Sequence, residues 1–142
     1  MNYASSCSVT LRAPLSKVWE ALTSPAIVKQ YFFGTALETT WRVGSPLFFR
    51  GEWEGKPYED RGTVVAFEPE ARLSFNYWSA FSGKADVETE RTIVEYALEA
   101  HAEGVRLTVR QGRFDSQARA DDSAKNWQSV IDGLKRLLEA QR

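Results

Sequence analysis

The sequence holds one cysteine, Cys7, and one histidine, His101, in 142 residues. A single thiol excludes an intrachain disulfide and fits a reducing compartment, so a cytoplasmic setting is expected. One Cys and one His are too few for a structural zinc site, and no metal is expected. A Ser-His-Asp or Cys-His centre would need His101 on a scaffolded wall, whereas it falls in a predicted hairpin turn beside Gly104. No catalytic residue is assigned on that basis. Neither GxGxxG nor a P-loop pattern occurs, and no cofactor is expected. An excess of one charge is also missing: 18 Lys and Arg face 19 Asp and Glu. Without a basic patch or run, binding to nucleic acid or to an anionic membrane surface has no electrostatic footing. No apolar run approaches the roughly 20 residues of a membrane-crossing helix. The stretch Met1–Cys7 has neither the charged nor the apolar region of a secretion signal.

What is abundant is aromatic. Five Trp, five Tyr and eight Phe make 13% of the chain. Such side chains bury large areas, and they also line pockets for flat or greasy ligands. The length suits one domain spanning residues 1–142 with a real core.

The strongest periodic signal is the last one. Between Gln117 and Gln141, Ala120, Ala124, Trp127, Ile131, Leu134 and Leu138 recur at steps of four and three, drawing one apolar stripe down a helix. Asp115 or Ser116 can cap it, with Asp121 and Asp122 near its positive end and Lys135 and Arg136 near its negative end. A lone helix of this kind is marginal in water, so its stripe must lie on something large and apolar. Upstream, that partner is a sheet. Ser6–Arg12 alternates as a first strand, Pro14 opens a short helix with Leu15, Val18, Trp19 and Leu22 inward, and Ser24-Pro25 starts a second that runs to about Tyr31. From Thr35 the period is two, with strands expected at 36–42, 47–54, 58–67, 72–78, 89–100 and 105–113. Short turns between them imply an antiparallel meander, and the element order excludes a βαβ repeat. Alternation puts Leu47, Phe49, Gly51 and Trp53 on one face, as it does Leu73, Phe75 and Tyr77, Val94, Tyr96 and Leu98, and Val105, Leu107 and Val109. Val64, Val65 and Phe67 cannot share a face without a bulge. The expected fold is α+β: one curved antiparallel sheet, two short helices after the first strand, and a long C-terminal helix across the concave face.

At this point a family is visible. Ala13-Pro14-Leu15-Ser16-Lys17-Val18-Trp19-Glu20-Ala21-Leu22 resembles the first-helix signature of the START/Bet v-like helix-grip superfamily, also called SRPBCC. Gly51-Glu52-Trp53-Glu54-Gly55-Lys56-Pro57-Tyr58-Glu59-Asp60, Phe67-Glu68-Pro69, and Lys125-Asn126-Trp127 with Gly133-Leu134-Lys135 look like its branch of activator of heat-shock-protein-90 ATPase homologues. The resemblance runs from about Val9 to Leu138. It implies the same order of elements. It also implies a cavity between sheet and helix, where superfamily members bind lipids, hormones or polyketides and where some act as cyclases or aromatases. Eukaryotic activators carry a further N-terminal chaperone-binding domain, which is not expected before residue 1. Fold alone does not choose among these functions.

Three readings follow. The first is binding of a hydrophobic or aromatic small molecule, without covalent chemistry, by a wall of Phe49, Trp53, Val64, Phe75, Tyr77, Tyr96, Trp127 and Ile131. The second is a cyclase or dehydratase in the same cavity, using a tyrosine and a carboxyl turned inward. Glu52 or Asp60 qualifies only if a bulge rotates it, since Glu59-Asp60-Arg61 otherwise reads as a rim ion pair. The third is an interaction module that meets a chaperone through its exterior. A cavity of roughly 300–1,000 Å³ marks the first, a carboxyl inside it the second, and a large exposed apolar patch the third. Tyr77 and Tyr96 face inward, and each hydroxyl needs a partner from a ligand, a side chain or a water.

Overall fold

The two periods read from the sequence become seven strands and three helices in a computed structural model that describes residues 3–140. Strand β1 (Tyr3–Leu11) leads into helices α1 (Leu15–Thr23) and α2 (Pro25–Tyr31). Next come β2 (Ala36–Thr39), β3 (Pro46–Trp53), β4 (Lys56–Glu68), β5 (Arg72–Trp78), β6 (Thr92–His101) and β7 (Gly104–Phe114), and then helix α3 (Gln117–Ala140). Ser24 separates the two short helices. Its N–H closes α1 on the Glu20 carbonyl at 2.8 Å, and its own carbonyl accepts from Val28 N at 2.9 Å to begin α2.

All pairings are antiparallel, in the order β1-β7-β6-β5-β4-β3-β2. Strands β2 to β7 are the meander that the short turns imply. Strand β1 joins at the β7 edge, and α1 and α2 carry the chain to the other edge. The bulge on β4 lies between Val64 and Ala66. It buries Val64, leaves Val65 outside, and lets Phe67 turn inward between Trp19 and Trp41, with ring centroids at 5.3 and 5.6 Å.

Two strand ends fall three residues short of the alternation pattern, while β1 begins three residues earlier than expected, at Tyr3. Strand β2 stops at Thr39 because Trp41 adopts φ +60°, which no strand accommodates, and Thr39 Oγ1 accepts from its N–H. Strand β6 begins at Thr92 because Glu88–Glu90 coil into one 3₁₀ turn. The outer face of β5 is also less open than expected. Asn76 is buried there, its Oδ1 accepting from Thr63 N at 2.9 Å and Arg91 Nη1 at 3.0 Å.

Helix α3 buries the predicted stripe and lies along β1 and β7, with α2 and α1 on its flank. It runs parallel to β1. Ser5 meets Ser123, Cys7 Sγ donates to the Ala124 carbonyl, Lys135 Nζ donates to the Thr10 carbonyl, and Arg12 N donates to Glu139 Oε2. The match is metric. Seven strand steps from Ser5 to Arg12 cover about 23 Å, and sixteen helical steps from Ser123 to Glu139 about 24 Å. Because the helix follows this side of the sheet, the parts of β3, β4 and β5 that carry Phe49, Asp60 and Tyr77 are left for something else, while Leu47, Val64 and Leu73 of the same strands are buried in the core.

Candidate functional site

What lies over that uncovered floor is a cavity of about 1290 Å³. Its floor is Phe49 on β3, Asp60 on β4, and Phe75 and Tyr77 on β5; its far wall is Ser123, Trp127 and Val130 of α3. It opens to solvent past Phe33, Trp53 and Phe81, which are 67%, 61% and 61% exposed. The rings are mutually fixed. Phe49 packs on Phe75 and Tyr77 at 5.8 and 5.9 Å, and Phe32 stacks on Phe49 at 5.5 Å. Trp127 meets Phe32 and Tyr96 edge-on, both at 5.7 Å. On β3 the absence of a side chain at Gly51 is needed, since a Cβ there would come within 2.7 Å of the Tyr58 hydroxyl. That hydroxyl reaches across to Thr35 Oγ1 at 3.0 Å.

Asp60 is the one carboxyl deep in this floor. It is 6% exposed and stands opposite Phe49 in the ladder. The expected rim position is thus overturned, and no bulge is required. Tyr58, Asp60, Gly62 and Val64 share the inward side by plain alternation, because the bulge falls after Val64. Glu59 and Arg61 do point outward, where they pair with each other and with Arg50 and Asp86. Glu52 stays exposed near the hairpin end of β3, on the cavity rim. The Asp60 carboxylate accepts from the Tyr77 hydroxyl at Oδ2 and from Ala80 N at Oδ1, the latter at 2.7 Å. Burial pushes its pKa above the ordinary carboxylate value, against the pull of those two donors. Tyr77 is raised well above the usual phenol range, first by burial and then by the Asp60 charge, so the proton stays on the phenol.

A second polar feature, absent from the sequence reading, joins β1, β7 and α3. Ser123 Oγ and Trp127 Nε1 both donate to Gln111 Oε1, at 2.9 and 2.8 Å, while Gln111 Nε2 donates to Thr92 Oγ1 at 2.8 Å. Ser5 Oγ lies 3.1 Å from Ser123 Oγ, and Thr92 Oγ1 donates a hydrogen bond to the Tyr77 carbonyl at 3.2 Å. Gln111 continues the inward series Val105, Leu107, Val109, so two further residues of the same alternation would have placed it.

Of the eight residues proposed as wall, Phe49, Trp53, Phe75, Tyr77 and Trp127 line the cavity, Trp53 only at its mouth beside the Glu54-Gly55 turn. Val64, Tyr96 and Ile131 do not reach it. They are buried in the core, where inward orientation is satisfied by packing against other side chains. Part of the lining that periodicity missed comes from loops, beside Asp60, Gln111 and Ser123 on regular elements. Phe32 and Phe33 follow α2, and Ser79, Phe81, Ser82 and Lys84 belong to the β5–β6 connection. That connection is tied down by Ala80 N on Asp60, by Trp78 Nε1 on the Lys84 carbonyl at 2.9 Å, and by Lys84 Nζ on Asp115 at 2.7 Å. His101 and Cys7 lie apart from the cavity. Burial, reinforced by Asp132, raises the Cys7 thiol pKa. Among the described residues no group of His, Cys, Asp and Glu is arranged to hold a metal, and no helix is long and apolar enough to cross a membrane.

A curved antiparallel sheet with a long helix laid along one side and an aromatic cleft beneath defines the helix-grip class. The sequence profile described as Activator of Hsp90 ATPase homolog 1-like protein matches residues 12–139. The chain belongs to that family. Among solved structures it is similar to ChR145 from Cytophaga hutchinsonii at 35% identity and TM-score 0.83, over 97% of this chain and 94% of that one. It resembles DynU16, of the dynemicin biosynthetic locus, at 24% identity and TM-score 0.81, over 98% of this chain and 48% of that one. CalU16 from Micromonospora echinospora shares the fold at 18% identity and TM-score 0.75, over 97% of this chain and 85% of that one. No curated protein matches.

Proposed function

We propose that this protein binds a hydrophobic or aromatic small molecule between the sheet and α3, without covalent chemistry of its own. The observation that carries the reading is the unfilled floor. Phe49, Phe75, Tyr77 and Trp127, packed on one another and on Phe32, line one side of a cavity larger than a drug-sized ligand needs. The family is consistent with this, as is the fold shared with DynU16 of the dynemicin biosynthetic locus. The exposed aromatics Phe33, Trp53 and Phe81 ring the cavity mouth, which favours an internal guest over a chaperone held on the outer surface. A cytoplasmic site and a single domain over residues 1–142 complete the proposal. Native mass spectrometry of freshly purified protein is expected to show a bound small molecule, or else lipids and polycyclic aromatics to raise the melting temperature in a concentration-dependent way. Neither effect across a broad panel would sink the reading.

A second reading rests on the Asp60–Tyr77 pair. A carboxyl held at a raised pKa next to a phenol, inside an apolar cavity, is equipped for proton transfer to and from a bound ketone or alcohol. If that chemistry occurs, a bound β-hydroxy ketone loses water: Asp60 takes the α-proton, the β-hydroxyl leaves as water with the Tyr77 proton, and the proton on Asp60 returns to the phenol. Asp60→Asn stops the loss while the ligand still binds.

A further inference from the structure

Every carboxylate around the cavity has either a cation or open water, except Asp60. Lys84 is engaged by Glu90 at 3.1 Å and Asp115 at 2.7 Å, and Arg119 by Asp115 at 3.5 Å. Arg61, next to Asp60 in sequence, is on the opposite face of β4 with Glu59 and Asp86. Arg113, on the rim, is exposed and has no ion pair among the described residues. Asp60 itself receives only two neutral donors, the Tyr77 hydroxyl and the Ala80 N–H, one on each oxygen. A carboxylate has about four acceptor positions, so each oxygen retains capacity. Buried charge without a counter-charge is costly and is normally paired. Phe49 stands across the ladder from Asp60, and Tyr77 meets the carboxylate through its hydroxyl. A ring face attracts a cation through its quadrupole and offers nothing to an anion.

We infer that the cavity's ligand carries a protonated amine or similar organic cation, which takes the place of the missing counter-ion on Asp60 while its apolar body lies against Phe49, Phe75 and Trp127. The inference rests on the small-molecule reading above and narrows it to one ligand class. Anionic ligands such as fatty acids are disfavoured in the same site, because they would bring a second negative charge to Asp60.

Three probes with one ring system test this: naphthylmethylamine, naphthylmethanol and naphthoic acid, titrated calorimetrically near neutral pH. The amine is expected to bind about tenfold tighter than the alcohol, and the acid most weakly. Asp60→Asn should bring the amine-to-alcohol ratio to about one, on the same physical ground. Should that variant fail to fold, Tyr77→Phe serves instead. Removing the phenol frees Oδ2 for the cation, so the ratio should rise severalfold. An amine that binds no better than the alcohol, a preference that survives Asp60→Asn, or a ratio that does not rise in Tyr77→Phe overturns the assignment and leaves the cavity reading standing. If none of the three probes binds, this assignment is overturned, and the cavity reading falls with it only if native mass spectrometry and the broad panel above are blank as well.

Discussion

Asp60 is a residue whose burial has a measurable sign. Its carboxyl has a higher pKa in the folded chain than an exposed aspartate has, because burial outweighs the donors Tyr77 and Ala80. Between the unfolded and folded values the native state therefore holds more proton, and stability falls as pH rises through that window. The effect begins near pH 4, where free aspartate titrates. Asp60→Asn cannot ionise, so its stability relative to the parent should increase with pH across the window, read by urea denaturation at a series of pH values. The outer-face and loop carboxylates act in the opposite sense. Glu59 is pulled down by its hydrogen bonds to Arg50 and Arg61, and Asp115 by Lys84, so what they contribute is present above the unfolded value and fades as pH drops. A flat difference between Asp60→Asn and parent would mean the carboxyl is hydrated after all. Asp60 was hard to read in the sequence because a lone carboxylate interrupts an apolar alternation, and because the bulge after Val64 hides the frame from which to count back. The same counting found Phe49, Phe75 and Tyr77 without difficulty, since their strands carry no bulge.

At the level of elements, helices and strands were legible wherever one face is apolar and the other polar. Strand β5 came out with the bounds 72–78 that alternation assigns, and α3 with its stripe and its Ser116 cap, whose Oγ accepts from Arg119 N at 3.2 Å. Loops were not legible, because Phe32, Phe33 and Phe81 sit at no period, and their place over the cavity is set by chain geometry. Tyr96 and Ile131 show a further limit. Alternation says that a side chain points inward, yet it cannot say whether the interior at that point is packed or hollow. Gly133 illustrates an element-scale choice that can be tested. It lies in α3 against α2, away from the cavity, and an added Cβ would rest 3.5 Å from the Tyr31 carbonyl oxygen and 3.6 Å from Tyr31 Cβ, ordinary contact distances. Gly133→Ala should therefore keep the packing and gain helix propensity, stabilising by about 0.5–1 kcal/mol. Thermal unfolding should show a rise of roughly 2–4 °C. A lower melting temperature would show that α2 and α3 tolerate no closer approach.

For the whole molecule, the uneven coverage of the sheet matters most. One helix can satisfy about two strands, and α3 is committed to β1 and β7, so the remaining floor is either a cavity or a defect. That choice depends on how β1 is held. Its partners are β7, reached only at Gly104, and α3, which begins at Gln117. During synthesis the first strand therefore emerges long before anything that covers it, and its apolar face must wait for α3. Chains arrested before α3 should be degraded rapidly by a protease that spares the full-length product, and should hold no guest even though most cavity-lining residues have already been made. Under the proposed function, a ligand is thus captured only after α3 is in place.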